Sequence, residues 1–479
     1  MGAVTTPAPT TRAARRQQAA AAAPRRTGAT VAMVLVIVVA LLLTAVLLVL
    51  RGGGPAGAGS AAAPVPDAVL PAVGDAPPVL ADLDPDAPQP TALDSTLAPL
   101  LADPALGRGL SAQVVDARTG TVLFDRDGSD PGTPASTAKL LTAVAALTTL
   151  DPAATLPTTV VAGATPGEVV LVGGGDPTLS RTTPSATYPG APTVDDLARQ
   201  VTAALAGAPV TSVVVDNSLF SGPLTAAGWG ADDAPSTYAA PVTAAAVDGA
   251  RLAPGGLARS GQPGTDAGVA LARALGAPSV PVTLGAAPPQ ARELGRVQSA
   301  PVARLVEQAL SLSDNLLAET LARHVALTRG LPATFEGAGT AVTDAVREAG
   351  IDVTGVVLGD ASGLSAGDLV PATTLTGLLR AAGDGSLPAA ADLLSGLPVA
   401  GFDGTLADRG DPTGGAAPGS VRAKTGTLLG VNALAGTVLT ADGRLLVFAV
   451  LADGAVGGLD PTEAALDRVA AALAGCGCR

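Results

Sequence analysis

The stretch that decides the fold is TPASTAKLLTAVAALTTL, residues 133–150, in which a short polar start leads into a long apolar run. The pattern predicts a helix with Thr133 as its N-cap and Pro134 in the first helical position. Ser136 then lies in the first turn, where the helix dipole favours negative charge on the hydroxyl oxygen. Residues three apart share a helix face, so the amine of Lys139 should come within reach of that oxygen. Because a serine three residues before a lysine is common, the pattern alone is weak evidence for a catalytic pair.

The lysine count points to a chemical role for this position. The chain has 28 basic side chains, and all of them are arginines except Lys139 and Lys424. Either residue type can supply surface charge, but a guanidinium stays protonated in proteins, whereas a buried ammonium can lose its proton and act as a base. The two lysines are therefore candidates for positions where arginine cannot serve.

Two further motifs lie at breaks in the apolar pattern. SDN at residues 313–315 separates two segments with helical patterns, and helix capping is an alternative explanation for it. KTGT at residues 424–427 lies in a strand-like run from Val421 to Thr440. A glycine in a strand often marks the close approach of another backbone or of a ligand, although a bulge beside a partly exposed lysine would explain the pattern equally well.

Several familiar sites are excluded by residue counts. The single histidine, His324, precedes the GLSAG pattern at residues 363–367, whereas a nucleophile elbow needs a later histidine, so we predict a loop there. The GGGD run at residues 173–176 lacks the spacing of a nucleotide-binding loop and is predicted to be a tight turn. His324 is expected to be structural. With one histidine, Cys476 and Cys478 cannot build a zinc cluster, and neither a metal nor another cofactor is expected.

The N-terminal residues have the composition of a membrane anchor. Residues 29–50 are apolar and uncharged, and at about 1.5 Å per residue a helix of this length spans a bilayer. Arginines are concentrated before this segment, so the positive-inside rule predicts a cytoplasmic tail at residues 1–28 and an extracytoplasmic body. The protein is therefore expected to be a single-pass protein of the cell membrane. The span is longer than the core of a signal peptide, but the small residues after it leave cleavage open. Residues 51–96, rich in Pro, Ala and Gly, are predicted to be a linker.

The charge of the chain argues against a nucleic acid as a partner. The formal net charge is −13, and the arginines of residues 1–51 have no acidic counterpart there, so the rest of the chain is more acidic still. Such a body repels phosphate groups rather than neutralising them.

Taken together, the motifs occur in the order S-x-x-K, S-D-N, K-T-G, which is the signature of the penicillin-recognising serine enzymes. Over about residues 97–474 the sequence resembles the low-molecular-mass class C penicillin-binding proteins, the D-alanyl-D-alanine carboxypeptidase/endopeptidase family (peptidase family S13). The segments that carry the resemblance are residues 171–179, 213–216 with Phe220, Trp229, 238–242, 397–401, 403–406, 422–428, 435–436 and 442–444. One departure is Ala361, where the family usually has the glycine of Asp-Gly-Ser-Gly, and we expect no effect on the chemistry.

The resemblance implies an α/β (α+β) fold of the penicillin-binding/β-lactamase-like transpeptidase type, with an antiparallel sheet flanked by helices. Residues 97–157 and 291–475 would form the catalytic domain. The stretch between the first two motifs is too long for a compact β-lactamase, so residues 158–290 are expected to be an inserted, β-rich domain. The ligand and the subdivision of this insert are left open.

The resemblance also assigns the reacting groups. Ser136 would be the nucleophile, and neutral Lys139 would be its general base, with a pKa lowered by burial and by the cation of Lys424. Ser313 would relay the proton to the leaving amine.

The remaining motif residues would hold the substrate. Asn315 would bind a substrate amide, and Lys424 and Thr425 would meet the C-terminal carboxylate of the substrate. Gly426 would also belong to the substrate-binding residues. The backbone N–H groups of Ser136 and Thr427 would form the oxyanion hole.

These roles imply a serine-type D-Ala-D-Ala carboxypeptidase whose partners are peptidoglycan stem peptides ending in D-Ala-D-Ala. β-Lactams are expected to acylate Ser136 and to leave slowly, and residues 29–50 would bind the membrane. Endopeptidase activity on cross-links, the oligomeric state and the redox state of the two cysteines are left open. A β-lactamase and a catalytically silent wall-binding protein are the alternatives.

Overall fold

The computed structural model describes residues 93–409 and 417–476. The predicted cytoplasmic tail, the predicted membrane span and the linker as far as residue 92 lie outside these ranges. The linker was predicted to continue to residue 96, but a helix already begins at Leu93, because Leu93, Leu97 and Leu101 form a buried stripe at four-residue spacing. In the part of the chain that is described, no helix combines the length and the apolar character needed to cross a bilayer.

The described residues form two five-stranded sheets and the helices around them. The strands are β1 (Gly109–Asp116), β2 (Val122–Arg126), β3 (Pro157–Ala162), β4 (Glu168–Val172), β5 (Ser212–Asp216), β6 (Val282–Leu284), β7 (Glu293–Gln298), β8 (Val421–Leu428), β9 (Val431–Leu439) and β10 (Leu445–Asp453). The helices are α1 (Leu93–Leu101), α2 (Lys139–Thr149), α3 (Val194–Leu205), α4 (Pro263–Ala274), α5 (Val302–Ser311), α6 (Asn315–Thr328), α7 (Phe335–Glu348), α8 (Ala372–Gly383), α9 (Asp392–Ser395) and α10 (Leu459–Ala474). Short 3-10 turns lie at Pro104–Leu106, Ala135–Ala138, Asp248–Ala250, Pro388–Ala390 and Gly404–Leu406.

The first sheet is antiparallel throughout, with the strand order β2-β1-β10-β9-β8. Helices α1 and α10 pack together, and α10 lies on β9, while α8 packs on β1 and β10. The sheet is buried by helices on both faces, which explains the nearly continuous burial of β9 and β10. The predicted single run from Val421 to Thr440 is in fact a hairpin, because Gly430, with φ 73°, allows a tight turn between β8 and β9.

The second sheet has the order β6-β5-β4-β3-β7 and belongs to the stretch predicted as the insert. β4, β5 and β6 run parallel, whereas β3 is antiparallel to both β4 and β7. The insert holds strands, and its parallel strands also need crossover connections, which the chain supplies as helices α3 and α4 that were not predicted from the sequence. Since the edge strand β7 pairs with β3, the sheet extends from Pro157 to Gln298, past the predicted limits.

A cluster of helices lies beside the first sheet and holds the deepest core. Helix α2 is at its centre and packs against α5, α6 and α7, so that its residues from Lys139 to Leu147 are all buried. The 3-10 turn Ala135–Ala138, which leads into α2, packs on β8 and β9. The start of α2 is thereby held against the strand that carries the KTGT motif.

Candidate active site

Ser136 lies in the 3-10 turn Ala135–Ala138, and α2 itself begins at Lys139. The predicted capping by Thr133 is wrong, because its hydroxyl donates to Asp453 Oδ2 over 2.9 Å and anchors the turn to the end of β10 instead. Pro134 lies just before this turn. The serine still lies three residues before the lysine in a continuous helical path, and the tighter 3-10 geometry brings positions i and i+3 nearly into register.

The amine of Lys139 is enclosed by three oxygen atoms. Nζ lies 3.0 Å from Ser136 Oγ, 2.5 Å from Asn315 Oδ1 and 2.6 Å from the carbonyl oxygen of Ser362. Only 1% of the side chain is exposed. Burial lowers the pKa of Lys139 to about 8, although nearby carboxylates, Asp360 foremost, raise it in part. A substantial fraction of the amine is therefore neutral at mildly alkaline pH.

The SDN motif joins α5 to α6, and each of its three residues makes a different contact. Asp314 is the N-cap of α6 and accepts a hydrogen bond from the backbone N–H of Leu317. Ser313 precedes the cap with φ 52°, in the left-handed region that most residues avoid, and this turns its hydroxyl toward Lys424. Asn315 opens the helix, accepts from Lys139, and donates from Nδ2 to the carbonyl oxygen of Tyr238 over 3.2 Å.

Lys424 is fully buried on β8. Its amine donates to Ser313 Oγ and to the carbonyl oxygen of Thr425, each over 2.9 Å. Burial, together with the charge of Lys139, holds the pKa of Lys424 well below its usual value. The two lysines thus belong to different motifs, and each is buried with its amine within hydrogen-bond distance of a serine hydroxyl.

Gly426 allows the serine turn and β8 to pack without a gap. A Cβ at this position would come within 2.6 Å of the carbonyl oxygen of Pro134, so any side chain would push the turn away. The prediction that another backbone comes close to this glycine is therefore confirmed. Gly363 meets the same turn from the other side, where a Cβ would lie 1.9 Å from the carbonyl oxygen of Ala135.

These groups line one open cleft of about 870 Å³. The predicted residues on its surface are Ser136, Ser313, Asn315, Thr425 and Thr427, whereas the two lysines lie behind their serines. The other residues of the lining are Thr133, Gly228, Gly230, Asp233, Tyr238, Leu312, Gly363, Leu364, Ala366, Thr405, Leu428, Leu429, Val431 and Asp453. A segment of the insert, residues 228–238, thus supplies one wall of the site.

The loop at residues 360–367 is an essential part of the site that motif reasoning did not assign. The GLSAG pattern lies in a loop, as predicted, and the hydroxyl of Ser365 only accepts from the N–H of Gly367. Asp360, at the start of this loop, accepts hydrogen bonds from four donors. These are the backbone N–H groups of Ser362, Gly363 and Ser365 and the indole N–H of Trp229. The loop is therefore fixed so that the Ser362 carbonyl faces Lys139.

A buried ionic cluster ties the SDN turn to the insert. Asp314 accepts from the hydroxyl of Tyr188 over 2.7 Å and pairs with Arg259 over 3.0 Å and with Arg251 over 3.3 Å. Burial alone would raise the pKa of Asp314, but the two guanidinium groups hold it well below its ordinary value. Asp314 is thus a charged anchor for both Ser313 and Asn315. The sequence suggested a cap but gave no sign of its partners, which lie more than 50 residues away.

His324 and the GGGD run lie together and outside the lining of the cleft. His324 is half-buried on α6 with its ring 5.9 Å from that of Phe220, and desolvation of the ring lowers its pKa to about 4. The predicted tight turn is confirmed, since Gly175 has φ 76° and Asp176 accepts from the backbone and hydroxyl of Thr178. The histidine is structural, because at neutral pH it is an uncharged ring packed in the core.

This fold and this arrangement of serines and lysines define the penicillin-binding/β-lactamase-like class of serine enzymes. The chain belongs to the D-Ala-D-Ala carboxypeptidase 3 (S13) family, whose family model matches residues 93–258 and 254–473. It is similar to the carboxypeptidase DacB of Mycolicibacterium smegmatis, with 43% identity over 87% of this chain and 91% of that protein. It is also 40% identical to a carboxypeptidase of Mycobacterium tuberculosis, over 82% of this chain and 85% of the other.

Among solved structures, the fold is similar to that of penicillin binding protein 4 (DacB) from Haemophilus influenzae. The TM-score is 0.64 at 24% identity, and the match covers 79% of this chain and 97% of that protein. The same protein in complex with a β-lactam gives a TM-score of 0.58. These matches establish the mixed α/β penicillin-binding fold.

Proposed function

We propose that this protein is a serine-type D-Ala-D-Ala carboxypeptidase that shortens peptidoglycan stem peptides through an acyl-enzyme on Ser136. Membership of the S13 family and similarity over most of the chain to carboxypeptidases support this activity. The observation that carries the proposal is the buried amine of Lys139, 3.0 Å from the Ser136 hydroxyl at the base of the cleft. An uncharged amine at this distance gives a serine the adjacent base that it needs to become a nucleophile.

The surroundings of Lys139 favour its action as a general base. A neutral amine has two N–H bonds and one lone pair. The carbonyl of Ser362 and the amide oxygen of Asn315 accept the two N–H bonds, which leaves the lone pair directed at the Ser136 hydroxyl. The proton of Ser136 moves to Lys139 as Oγ attacks the carbonyl carbon of the terminal peptide bond.

Ser313 and Lys424 are suited to deliver a proton to the leaving amine. The hydroxyl of Ser313 lines the cleft and accepts from the buried amine of Lys424 over 2.9 Å. Since an ammonium beside a hydroxyl makes that hydroxyl a better proton donor, Ser313 passes its proton to D-alanine as the C–N bond breaks and is resupplied from the lysine.

The edge of β8 is suited to bind the substrate backbone. The hydroxyl of Thr425 donates to that of Thr405 over 2.8 Å, beside Lys424. The two threonine hydroxyls line the cleft and offer polar contacts to the terminal carboxylate. In the proposed mechanism the N–H groups of Ser136 and Thr427 stabilise the oxyanion, with Gly426 between the threonines. Asn315 presents an amide group to the peptide.

β-Lactams are proposed as a second class of ligand, because their strained amide places a reactive carbonyl where the terminal peptide bond lies. The Haemophilus influenzae protein of similar fold has been solved in complex with a β-lactam. Once the ring has opened on Ser136, the leaving nitrogen stays tethered to the acyl group. Water is then slow to reach the ester, so the acyl-enzyme persists.

Acylation by a fluorescent penicillin tests this function directly. Wild-type protein is expected to be labelled, and Ser136→Ala is expected to remain unlabelled while keeping the same melting temperature. A folded wild-type protein without label would indicate a catalytically silent protein.

Product analysis separates the two enzyme classes. A carboxypeptidase releases D-alanine from a pentapeptide ending in D-Ala-D-Ala and holds penicillin for many minutes. Rapid turnover of penicillin without release of D-alanine would instead identify a β-lactamase. Cleavage of cross-linked dimers in the same assay would add endopeptidase activity.

The membrane location is a separate proposal that rests on composition. Residues 29–50 would anchor the protein in the cell membrane, with residues 1–28 in the cytoplasm and the catalytic body outside. Protease added to intact spheroplasts is expected to remove the body, whereas the same body in inverted vesicles should be protected. The opposite protection pattern would overturn this topology.

A further inference from the structure

The position of the Ser362 carbonyl decides where the lone pair of Lys139 points, and the loop that carries this carbonyl is held from both sides at the preceding residue, Ala361. The hydroxyl of Thr142 donates to the carbonyl oxygen of Ala361 over 2.6 Å, and the carboxyl Oε1 of Glu319 accepts the N–H of Ala361 over 3.0 Å. Asp360 accepts the N–H of Ser362 over 2.8 Å. Ala361 is thus the point at which α2 and α6 meet the loop.

Glu319 reaches this peptide because of its place on α6. It follows Asn315 by four residues, so the two side chains share one helix face and both point toward the start of α2. Asn315 supplies one acceptor to Lys139 directly, and Glu319 fixes the other through the backbone of the loop. One face of one helix therefore controls both N–H bonds of the base.

The burial of Glu319 is unusual for a residue of its type. Its exposed fraction is 0%, and its second oxygen, Oε2, has no hydrogen-bond partner among the residues that the structure describes. Glutamate is almost never buried in this way unless it is paired. The proposed mechanism has no role for this residue.

The charged groups around Glu319 favour its neutral form. Burial and the negative charge of Asp360 raise its pKa to about 8, and the guanidinium of Arg323 offsets this in part. Burial and Asp360 likewise raise the pKa of neighbouring Asp368 to about 9. The charges of Asp314 and Arg259 also act on Lys139: the carboxylate raises its pKa and the guanidinium lowers it.

We propose that Glu319 is a positioning residue for the general base: as an uncharged acid it accepts the Ala361 N–H and thereby holds the Ser362 carbonyl against Lys139. The neutral form is the one that serves catalysis. An ionised carboxylate here would hold the proton on Lys139 more tightly and would leave less free base near neutral pH.

Two substitutions of matched size test this role, and the inference rests on the proposed function. Glu319→Gln keeps the acceptor and stays uncharged, whereas Glu319→Met fills the same volume without an acceptor. The measurement is the second-order rate of acylation by penicillin from pH 6 to 10. Failure of the wild-type protein to be acylated at all would sink the proposed function, whereas the ratios between variants concern Glu319 alone.

Glu319→Gln is expected to stay within about threefold of the wild-type acylation rate, and that rate should still rise with pH around a midpoint near 8. Glu319→Met is expected to lose about tenfold or more, because a misplaced base is costly. The rise of its acylation rate with pH should also move to lower pH, since the Lys139 ammonium releases its proton more easily once it has lost a hydrogen-bond acceptor. The matching exchange on the surface of α7, Glu336→Met, should leave both the rate and the profile unchanged.

Two results would overturn the proposal. One is a Glu319→Gln profile shifted down by a full pH unit, which would mean that the native carboxylate is already ionised near neutral pH. The other is a folded Glu319→Met protein with wild-type rates. Should Glu319→Met fail to fold, Thr142→Val removes the hydrogen bond to the carbonyl oxygen of Ala361, the other backbone group by which this residue is held, and it should lower the acylation rate in the same direction. A wild-type rate in Thr142→Val would then exclude a positioning role for the contacts at Ala361.

Discussion

At the scale of single residues, the site depends on which cations are able to lose a proton. Lys139 and Lys424 are the two lysines of the chain, and both are buried within hydrogen-bond distance of a serine. An arginine in either place would carry the same charge at neutral pH and would never become a base. The residue count of the sequence therefore carried chemical information that the four-residue motif alone did not.

Lys139→Arg is expected to slow acylation by about 10²–10⁴-fold, the range that removal of a general base usually gives. The time course of fluorescent penicillin labelling measures this loss. The reverse exchange on the same strand as Lys424, Arg422→Lys, lies on an exposed position and should label at the wild-type rate. Labelling of Lys139→Arg within tenfold of wild type would show that another group takes the proton.

Gly426→Ala is expected to separate the serine turn from β8. The added Cβ would meet the Pro134 carbonyl at 2.6 Å, so the turn must shift, and the acylation rate should fall about tenfold or more. Gly377→Ala on α8 is a matched control, because its Cβ would make an ordinary contact of 3.7 Å with Ile351. That control should label normally and gain about 0.5–1 kcal/mol of stability, since alanine is the better helix residue. Equal rates in both variants would contradict the close approach.

At the scale of elements, the insert supports the candidate site by holding the turn between α5 and α6. Its residues Tyr188, Arg251 and Arg259 all converge on Asp314, whose neighbours in the chain are Ser313 and Asn315. The same stretch lines the cleft through Tyr238 and donates the Trp229 indole to Asp360. The insert is thus part of the scaffold of the active site.

Arg259→Met is expected to cost about 3–5 kcal/mol of unfolding free energy at pH 7, because it leaves the buried carboxylate of Asp314 short of a partner. Denaturant unfolding monitored by fluorescence measures the loss. Arg199→Met breaks an exposed ion pair on α3 and should change stability by less than about 1 kcal/mol. A similar small change in Arg259→Met would show that Arg251 and Tyr188 suffice.

The acid dependence of stability checks the same cluster. The folded pKa of Asp314 lies below its unfolded value, so its contribution is fully present above pH about 4. That contribution is lost as the pH falls through the folded pKa. The difference in stability between wild type and Arg259→Met should therefore shrink on acidification, and a constant difference down to pH 2 would argue against this assignment.

At the scale of the whole molecule, the sequence predicted the family, the motifs and the presence of an insert, because each of these follows from short sequence patterns and the number of residues between them. Other features were not predictable, since they depend on contacts between distant segments. The Ser362 carbonyl comes to Lys139 from 223 residues away, and Asp453 displaces Thr133 from its capping role across 320 residues. The helices of the insert were missed because its apolar strand segments dominated the pattern.

The pairing of β1 with β10 has a consequence for how the protein is made. Gly109 lies opposite Asp453, so β1, which pairs early with β2 on one side, finds its neighbour on the other side only after residue 453 has been synthesised. The second sheet, by contrast, is complete by Gln298 and can form while synthesis continues. Until β10 arrives, β1 and β9 are left as open edges, and Thr133 lacks the carboxylate that anchors the serine turn. The nascent chain therefore gains its reactive serine in one late step, and unfinished chains should neither consume substrate nor be inactivated by antibiotic.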